Sequence, residues 1–476
     1  MEHTDLYIDG TWRPGSDGTR FDVLNPADET VLASVASATI ADAKDALDAA
    51  EAAMAEWSAR TPRDRSEVLR RAWELMTARQ DDFARLITLE NGKARADAMG
   101  EAAYAAEFFR WFAEEAVRND GVIKHAPATG ARIIVQHKPA GIGVLVTPWN
   151  YPAAMGTRKI APALAAGCAV IIKPASETPL TMLALMPLLE EAGVPKGLVN
   201  VLPSRQTGAL VDHLMHDPRV RVISFTGSTE VGRKLLRGAA ENVLKPAMEL
   251  GGNAPLIVFD DADLDVAVEG TMLAKMRNLG EACTAANRIY VHAAVAEDFT
   301  ARLTKAMAAL KVGNGLDDGV DVGPLVNAET RDTVAAFVAD AVSKGAKLHC
   351  GGKRPDGPGF FYPPTVMSDV PNSAECLSDE IFGPVAALQT FSDQAEVINR
   401  ANATQYGLVA YVFTADMKRG LHVCEQLDFG MVGLNRGLVS DPAAPFGGTK
   451  QSGLGREGAH EGMLEFMETQ YISAEW

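Results

Sequence analysis

The segment that decides the fold is residues 141–173, GIGVLVTPWNYPAAMGTRKIAPALAAGCAVIIK. Within it, Gly143–Thr147 and Ala169–Lys173 are short apolar runs, which are typical of strands buried on both faces. Met155–Ala166, between them, has the length and composition of a helix, with Pro162 as an expected kink. A strand, a helix and a second strand at this spacing predict a parallel βαβ unit. Ligands bind beyond the carboxyl ends of the strands in such sheets.

The same alternation continues toward the C-terminus. Val220–Thr226 and Ser228–Ala240 predict a further strand and its helix. The pattern then restarts with a strand at Ala254–Phe259 and a helix at Asp263–Leu279. Strands that alternate with helices favour a doubly wound parallel sheet, and the restart predicts a second α/β domain from about residue 251.

The two ends of the chain have different patterns. Residues 39–117 show helical periodicity in several segments, and Ala131–Pro139 is rich in β-branched residues and predicts a strand. Glu465–Trp476 contains a β-like piece, which could pair with the edge of another chain.

Composition excludes several classes of protein. The chain has 476 residues and a net charge of −17, which argues against nucleic acid or an anionic membrane as the main partner. Its five cysteines are scattered and include no CxxC pair, so we expect neither a disulfide framework nor structural zinc. The opening MEHTDLYIDGTWRPG resembles no signal peptide, and no charge-free run is a continuous apolar span, so we expect a cytoplasmic protein.

Four local features could carry chemistry. Phe225–Gly232 (FTGSTEVG) places a glycine and a serine where a strand gives way to a helix, which suits a phosphate but also ordinary helix capping. Cys283 lies among small residues before a strand, and Glu249 lies at the expected domain crossing. Asn150 follows the first parallel strand between two prolines. Taken singly, Cys283 could equally be a buried thiol, Glu249 a solvated carboxylate and Asn150 part of an ordinary turn. The one GxGxxG match, Gly453–Gly458, has no βαβ unit around it and is interpreted as a false positive.

Taken together, seven blocks resemble the aldehyde dehydrogenase superfamily over nearly the whole chain. They are TPWNYP, KPASETP, FTGSTEVG, MELGGNAP, GEACTAANR, EIFGPV and PFGGTKQSGLGREG, in the family's order and spacing. The resemblance implies a Rossmann-like cofactor-binding domain (residues 1–117 and 140–250), an α/β catalytic domain (251–446) and a β oligomerisation element (118–139 and 447–476). It therefore also implies a homodimer or homotetramer.

The resemblance also implies catalytic roles. Cys283 would be the nucleophile that adds to an aldehyde, because the thiolate is the reactive form of cysteine. Asn150 and the backbone N–H of Cys283 would stabilise the oxyanion, and Glu249 would activate the water that hydrolyses the thioester. Position 285 is alanine where some members carry a second cysteine, so we expect no disulfide switch there.

The expected cofactor is NADP, with NAD as the alternative. Residues similar to the family's cofactor contacts are Thr147, Pro148, Trp149, Lys173, Ser176, Glu177, Thr226, Gly227, Ser228, Leu250, Gly251, Glu380 and Phe382. Relatives that prefer NAD often carry a carboxylate at position 176, which repels a 2′-phosphate. Ser176 removes that repulsion and leaves Lys173 available to the phosphate, although Glu177 is adjacent.

Within the superfamily, the resemblance is greatest to the succinate-semialdehyde dehydrogenase group. Arg158, Arg277 and Ser440 occupy positions that in this group bind the distal carboxylate of the substrate. We therefore expect oxidation of succinate semialdehyde to succinate, with no metal. The main alternative is a broader enzyme for glutarate semialdehyde or other aliphatic aldehydes, because one methylene changes binding by only ~1–3 kcal/mol. A thiol hydrolase would not need Lys173 or Glu380, and a coenzyme A-acylating dehydrogenase would not need Glu249.

Overall fold

The structure is a computed structural model that describes residues 3–476, so the first two residues of the predicted cofactor-binding domain lie outside it. Its strands are β1 (Leu6–Ile8), β2 (Thr11–Arg13), β3 (Arg20–Leu24), β4 (Val31–Ala36), β5 (Val122–His125), β6 (Arg132–Pro139), β7 (Ile142–Val146), β8 (Val170–Lys173), β9 (Val199–Val201), β10 (Val220–Thr226), β11 (Lys245–Glu249), β12 (Ala254–Val258), β13 (Ala286–His292), β14 (Lys347–Cys350), β15 (Thr365–Ser368), β16 (Val385–Phe391), β17 (Tyr406–Gly407), β18 (Val409–Phe413), β19 (Met431–Leu434), β20 (Thr449–Lys450), β21 (Gly453–Leu454) and β22 (Met467–Ala474). Its α-helices are α1 (Ile40–Ala59), α2 (Pro62–Ala78), α3 (Gln80–Asn91), α4 (Arg95–Glu115), α5 (Ala154–Ala166), α6 (Leu180–Ala192), α7 (Thr207–His216), α8 (Thr229–Glu241), α9 (Leu264–Met276), α10 (Ala296–Ala308), α11 (Ala328–Ser343), α12 (Gln394–Asn402), α13 (Met417–Gln426) and α14 (Glu461–Leu464).

The first large sheet has eight strands in the order β2-β1-β9-β8-β7-β10-β11-β21. Its five central strands are parallel, as the βαβ pattern predicts. Their register pairs Val146 with both Lys173 and Phe225, and pairs Thr226 with Glu249. The carboxyl ends of four strands therefore meet at one edge, where most of the predicted site residues lie.

The second large sheet has seven strands in the order β14-β15-β16-β13-β12-β18-β19. All its neighbours are parallel except the pair β14 and β15. Each large sheet has its own hydrophobic core, and the α4 side chains Phe108, Phe109 and Phe112 are buried in the first core. The prediction of two α/β units built on parallel sheets is confirmed.

The third sheet, β22-β6-β5, is small and antiparallel. The β-like piece at the C-terminus, which could pair with the edge of another chain, is strand β22 and pairs with β6 of its own chain over eight residue pairs. The outer edge of β22 carries no further strand among residues 3–476. Gly453–Leu454, inside the GxGxxG match, is strand β21 and pairs with β11, so the match opens no helix at a phosphate site.

Two sequence-based predictions differ from the structure near the site. Lys245–Glu249 is a strand that the sequence pattern did not predict, and it carries Glu249 to the edge of the first sheet. The helix predicted to reach Leu279 ends at Met276, because Asn278 and Leu279 have left-handed φ values of 52° and 56°. Such a conformation costs of order 1–3 kcal/mol for a residue other than glycine. Among residues 3–476, no helix is long and apolar enough to cross a membrane.

Candidate active site

One cleft of about 210 Å³ opens at the carboxyl edge of the first sheet and is closed on its far side by the second α/β unit. Its lining comprises Pro148, Trp149, Asn150, Met155, Thr226, Gly227, Ser228, Leu250, Gly251, Cys283, Glu380 and Phe382. All of these except Met155 are residues that the sequence analysis singled out. The structure thus brings together side chains that are more than 200 residues apart in the chain.

Cys283 presents a half-buried thiol to this cleft. Burial raises the pKa of the Cys283 thiol to about 12, and the carboxyl groups of Glu380 and Glu249 act in the same direction. The guanidinium groups of Arg158 and Arg277 oppose this shift. Two arginines therefore lie within electrostatic range of the thiol, and the free protein holds it largely protonated at neutral pH.

Glu249 is buried at the end of β11. Its Oε2 has no hydrogen-bond partner within the described chain. Burial raises the pKa of Glu249 well above its ordinary value, and the nearby negative charge of Glu457 adds to the shift, while Arg158 and Lys159 oppose it. A general base works best with a pKa near the operating pH, so a raised pKa suits this carboxyl for accepting a proton from water.

Glu457 is a buried residue that the sequence analysis did not single out. Its carboxylate accepts hydrogen bonds from Arg158 Nε and Lys159 Nζ. Burial works against the charge, but these two cations hold the pKa of Glu457 below its ordinary value. Glu457 lies within the GLGREG part of a motif used for the resemblance, and this motif was the one signal that could have pointed to it. Its partners are about 300 residues away in sequence, so the motif could not show the pairing.

Asn150 is held on both its side chain and its backbone. Its Nδ2 donates to the backbone oxygen of Glu281 at 3.0 Å, two residues before Cys283. Its own backbone oxygen accepts from Lys93 Nζ at 2.7 Å and from Asn278 Nδ2 at 2.9 Å. Because Nδ2 carries two hydrogens, one N–H remains for an oxyanion in the cleft. Neither Lys93 nor Asn278 was predicted from the sequence.

The start of α8 forms one wall of the cleft. Ser228 caps the helix, and its hydroxyl accepts from the Val231 N–H at 3.4 Å. A Cβ on Gly227 would lie 2.5 Å from the ring of Phe225, so only glycine fits there. Free N–H groups at a helix start attract phosphate oxygens, and a glycine lets them approach closely.

Two aromatic rings flank the entrance of the cleft. Trp149 and Phe382 pack edge to face with 5.3 Å between ring centroids. Phe382 also has a left-handed φ of 50°, which is strained for a bulky residue. Such a conformation is not apparent from the EIFGPV motif, because it depends on contacts made across the cleft.

A positively charged corner lies at the end of β8. Lys173 is buried, and burial lowers its pKa to about 8, with Arg205 acting in the same direction and Glu177 opposing it. The Ser176 hydroxyl donates to the backbone oxygen of Ser204 at 3.2 Å. Lys173 and Arg205 are therefore close enough to repel each other, and an anion bound between them would relieve that repulsion.

Glu380 lines the cleft beside Gly251. Burial raises the pKa of Glu380 to about 8, and its Oε1 finds no hydrogen-bond partner among residues 3–476. A buried polar atom without a partner is costly in a native protein. An orphaned carboxyl oxygen, a capped helix start and a cationic corner together fit a bound dinucleotide with its ribose and phosphate groups.

Of the three predicted substrate residues, Arg277 and Ser440 form a pair, whereas Arg158 has other partners. Arg277 Nη2 lies 3.4 Å from Ser440 Oγ, so the structure brings this pair together. Arg158 is buried, stacks over the ring of Phe446 at 4.0 Å and is paired with Glu457, as described above. Its Nη2 is buried and has no hydrogen-bond partner in the described residues. The sequence predicted two equivalent arginines, whereas the structure makes Arg277 the freer cation.

The chain is similar to known proteins over nearly its whole length. The model of the "Aldehyde dehydrogenase family" matches residues 12–472. The chain is 54% identical to the succinate-semialdehyde dehydrogenase of Paenarthrobacter nicotinovorans, covering 93% of this chain and 98% of that one. It is 48% identical to the glutarate-semialdehyde dehydrogenase of Pseudomonas aeruginosa, covering 98% and 96%. A crystal structure of an NADP-dependent enzyme from Escherichia coli superposes with a TM-score of 0.98 at 46% identity, covering 100% and 98%. The predicted family and fold are confirmed: the chain belongs to the aldehyde dehydrogenase family.

Proposed function

We propose that this protein oxidises succinate semialdehyde to succinate with NADP as the favoured cofactor and NAD as the alternative. The observation that carries the proposal is the position of the Cys283 thiol. It lies in the cleft with Asn150 and within electrostatic range of Glu249, Arg158 and Arg277. A nucleophile, an oxyanion donor, a base and cations for a distal carboxylate are the groups that this reaction requires.

In the proposed reaction, the Cys283 thiol releases its proton to solvent, and the thiolate adds to the aldehyde carbon and forms a thiohemiacetal. The new oxyanion accepts hydrogen bonds from Asn150 Nδ2 and the Cys283 backbone, and one such donor is typically worth ~10²–10³ in kcat. A nicotinamide cofactor, when bound, would supply the acceptor for the hydride that leaves this carbon, and Cys283 Sγ would then hold the acyl group as a thioester. Glu249 then takes a proton from water, the hydroxide displaces the thiolate, and the acid is released.

The preference for an aldehyde with a distal carboxylate follows from the Arg277 and Ser440 pair. A guanidinium and a hydroxyl 3.4 Å apart can share one carboxylate. The unpartnered Nη2 of Arg158 adds a third donor, since only the Nε of this side chain is used by Glu457. The P. nicotinovorans relative carries the name of this activity, which supports the choice.

Glutarate semialdehyde is the second candidate substrate, favoured by the name of the P. aeruginosa relative. Both aldehydes carry a distal carboxylate and would use the same arginines. They differ by one methylene, which is worth only ~1–3 kcal/mol in a pocket.

The preference for NADP is supported by Lys173, Ser176 and Arg205. The position at 176 is a hydroxyl and not a carboxylate, and the two neighbouring cations suit a 2′-phosphate. The NADP-dependent structural relative from E. coli agrees with this assignment.

We further propose a cytoplasmic homodimer or homotetramer that uses the oligomerisation element of residues 118–139 and 447–476. The supporting observation is the small sheet, whose outer strands β5 and β22 expose the apolar side chains Ile123 (72%) and Tyr471 (59%). In this division of the chain, β20 and β21 belong to the element but pack against the cofactor-binding and catalytic units.

The test is a panel of aldehydes crossed with NADP and NAD, followed by the absorbance of the reduced nicotinamide. We expect the highest kcat/KM for succinate semialdehyde with NADP, and no turnover by Cys283→Ala, which should still bind cofactor. A higher kcat/KM for an uncharged aldehyde would overturn the substrate assignment. Near-normal turnover by Cys283→Ala would overturn the mechanism.

A further inference from the structure

The turn that precedes the nucleophile has an unusual backbone. Asn278, Leu279 and Gly280 are three consecutive left-handed residues, with φ values of 52°, 56° and 75°. A Cβ on Gly280 would lie 2.3 Å from the backbone oxygen of Gly383, which explains the glycine. The two residues before it have side chains and are strained, so other contacts must stabilise them in this conformation.

The side chain of Asn278 supplies two of these contacts. Its Nδ2 donates to the backbone oxygens of Asn150 and Glu281, each at 2.9 Å. Both neighbours are carbonyl oxygens, so the NH2 group and not the side-chain oxygen must face them. The backbone N–H of Asn278 donates to Asp97 Oδ2 at 2.9 Å, which anchors the turn on α4.

These bonds connect the two parts of the proposed oxyanion site. Asn150 follows a strand of the first sheet, whereas Glu281 precedes Cys283 in the second α/β unit. Glu281 O receives Asn278 Nδ2 at 2.9 Å and Asn150 Nδ2 at 3.0 Å. The amide of Asn278 therefore links the backbone of the oxyanion donor to the backbone of the nucleophile loop.

We propose that Asn278 is a positioning residue that fixes Asn150 Nδ2 relative to the Cys283 thiol. This inference rests on the proposed function, since it assigns Asn278 a role only through those two groups. With one hydrogen of Asn150 Nδ2 directed to Glu281 O, the other has a fixed direction, and the left-handed turn keeps Glu281 O in place. Asn278 contacts neither substrate nor cofactor in this role.

Asn278→Gly tests the amide separately from the backbone, because glycine adopts left-handed φ without strain. If the turn alone matters, the variant should be as active as the parent. If the amide matters, the pre-steady-state burst of reduced cofactor should slow by about 10- to 100-fold, as expected for a misplaced catalytic group. The Kd for NADP should change less than about twofold. Asn278→Asp keeps the side-chain volume but removes the NH2 group, so it should slow the burst at least as much as Asn278→Gly. If the glycine variant does not fold, Asn278→Asp shows whether the side-chain amide matters.

Asn435→Gly is the matched control. Asn435 is also left-handed, with φ 51°, and its side-chain amide also bonds to backbone groups, those of Thr414. It lies outside the proposed catalytic machinery, so its burst rate should stay within about twofold of the parent.

A double-mutant cycle with Asn150→Ala provides a readout that a merely structural role would not move. If Asn278 acts through Asn150, then Asn278→Gly should cost less than about threefold in the Asn150→Ala background. A parental burst rate in Asn278→Gly, or additive losses in the double variant, would overturn the inference. If Cys283→Ala is inactive in the same assay, the proposed function survives such a result; if Cys283→Ala remains active, the proposed function itself fails.

Discussion

Replacing Arg277 by methionine should reduce turnover of succinate semialdehyde selectively. The substitution keeps an apolar side chain in place and removes the guanidinium that lies 3.4 Å from Ser440 Oγ. A hydrogen bond to a charged group is worth ~1.5–3 kcal/mol, and each 1.4 kcal/mol is tenfold. We therefore expect kcat/KM for succinate semialdehyde to fall by about 10- to 100-fold, mostly through KM.

The structure makes a different prediction for Arg158, although the sequence treats the two arginines alike. Arg158 is paired with Glu457, and Glu457 in turn acts on the proposed base Glu249. Arg158→Met should therefore slow the oxidation of an uncharged aldehyde more than Arg277→Met does, and Arg158 also has the larger effect of the two on the Cys283 thiol.

The assay compares kcat/KM for succinate semialdehyde and butanal in the parent and both variants. Butanal has the same chain length without the carboxylate, so it serves as the internal control. Equal losses for the two aldehydes in Arg277→Met would refute the carboxylate-binding role. A purely selective loss in Arg158→Met would refute the coupling of this arginine to the proposed base.

Three further predictions address the cofactor, the base and the nucleophile. Ser176→Glu should raise the KM for NADP roughly tenfold more than the KM for NAD, because it places a carboxylate beside the 2′-phosphate; equal changes measured with the two cofactors would place discrimination elsewhere. Glu249 should limit kcat at low pH, because its raised pKa leaves it protonated until the pH exceeds that value. Glu457→Gln removes a neighbouring negative charge, so the acid limb of the kcat–pH profile should move to lower pH, and an unchanged or opposite shift would contradict the coupling. The rate of Cys283 alkylation by iodoacetamide in the cofactor-free protein should still rise about tenfold per pH unit between pH 9 and 10.5, because burial raises the thiol pKa to about 12, and a plateau by pH 10 would contradict that burial effect.

Much of the fold followed from local patterns in the sequence. Apolar runs of strand length alternating with helical segments specify a parallel sheet, because each pattern reports which faces of a short segment must be buried. The sequence also predicted that Asn150 follows β7 and that Glu249 and Cys283 have the family's spacing, since a motif keeps its order when the chain folds. With the motif resemblance, these features predicted the family and the cleft.

The protonation states and the supporting contacts depend on tertiary structure. Glu457 and Arg158 are 299 residues apart, so no periodicity or spacing in the sequence links them. Their ion pair nevertheless makes Arg158 differ from Arg277, and the charge of Glu457 raises the pKa of Glu249. The left-handed Asn278 was predicted to be helical, because its local sequence favours a helix. Its hydrogen bonds to Asn150, Glu281 and Asp97, which stabilise the strained turn, form only in the folded protein. Burial and long-range pairing are properties of the packed molecule, and they determine which of the candidate side chains are charged, neutral or held in place.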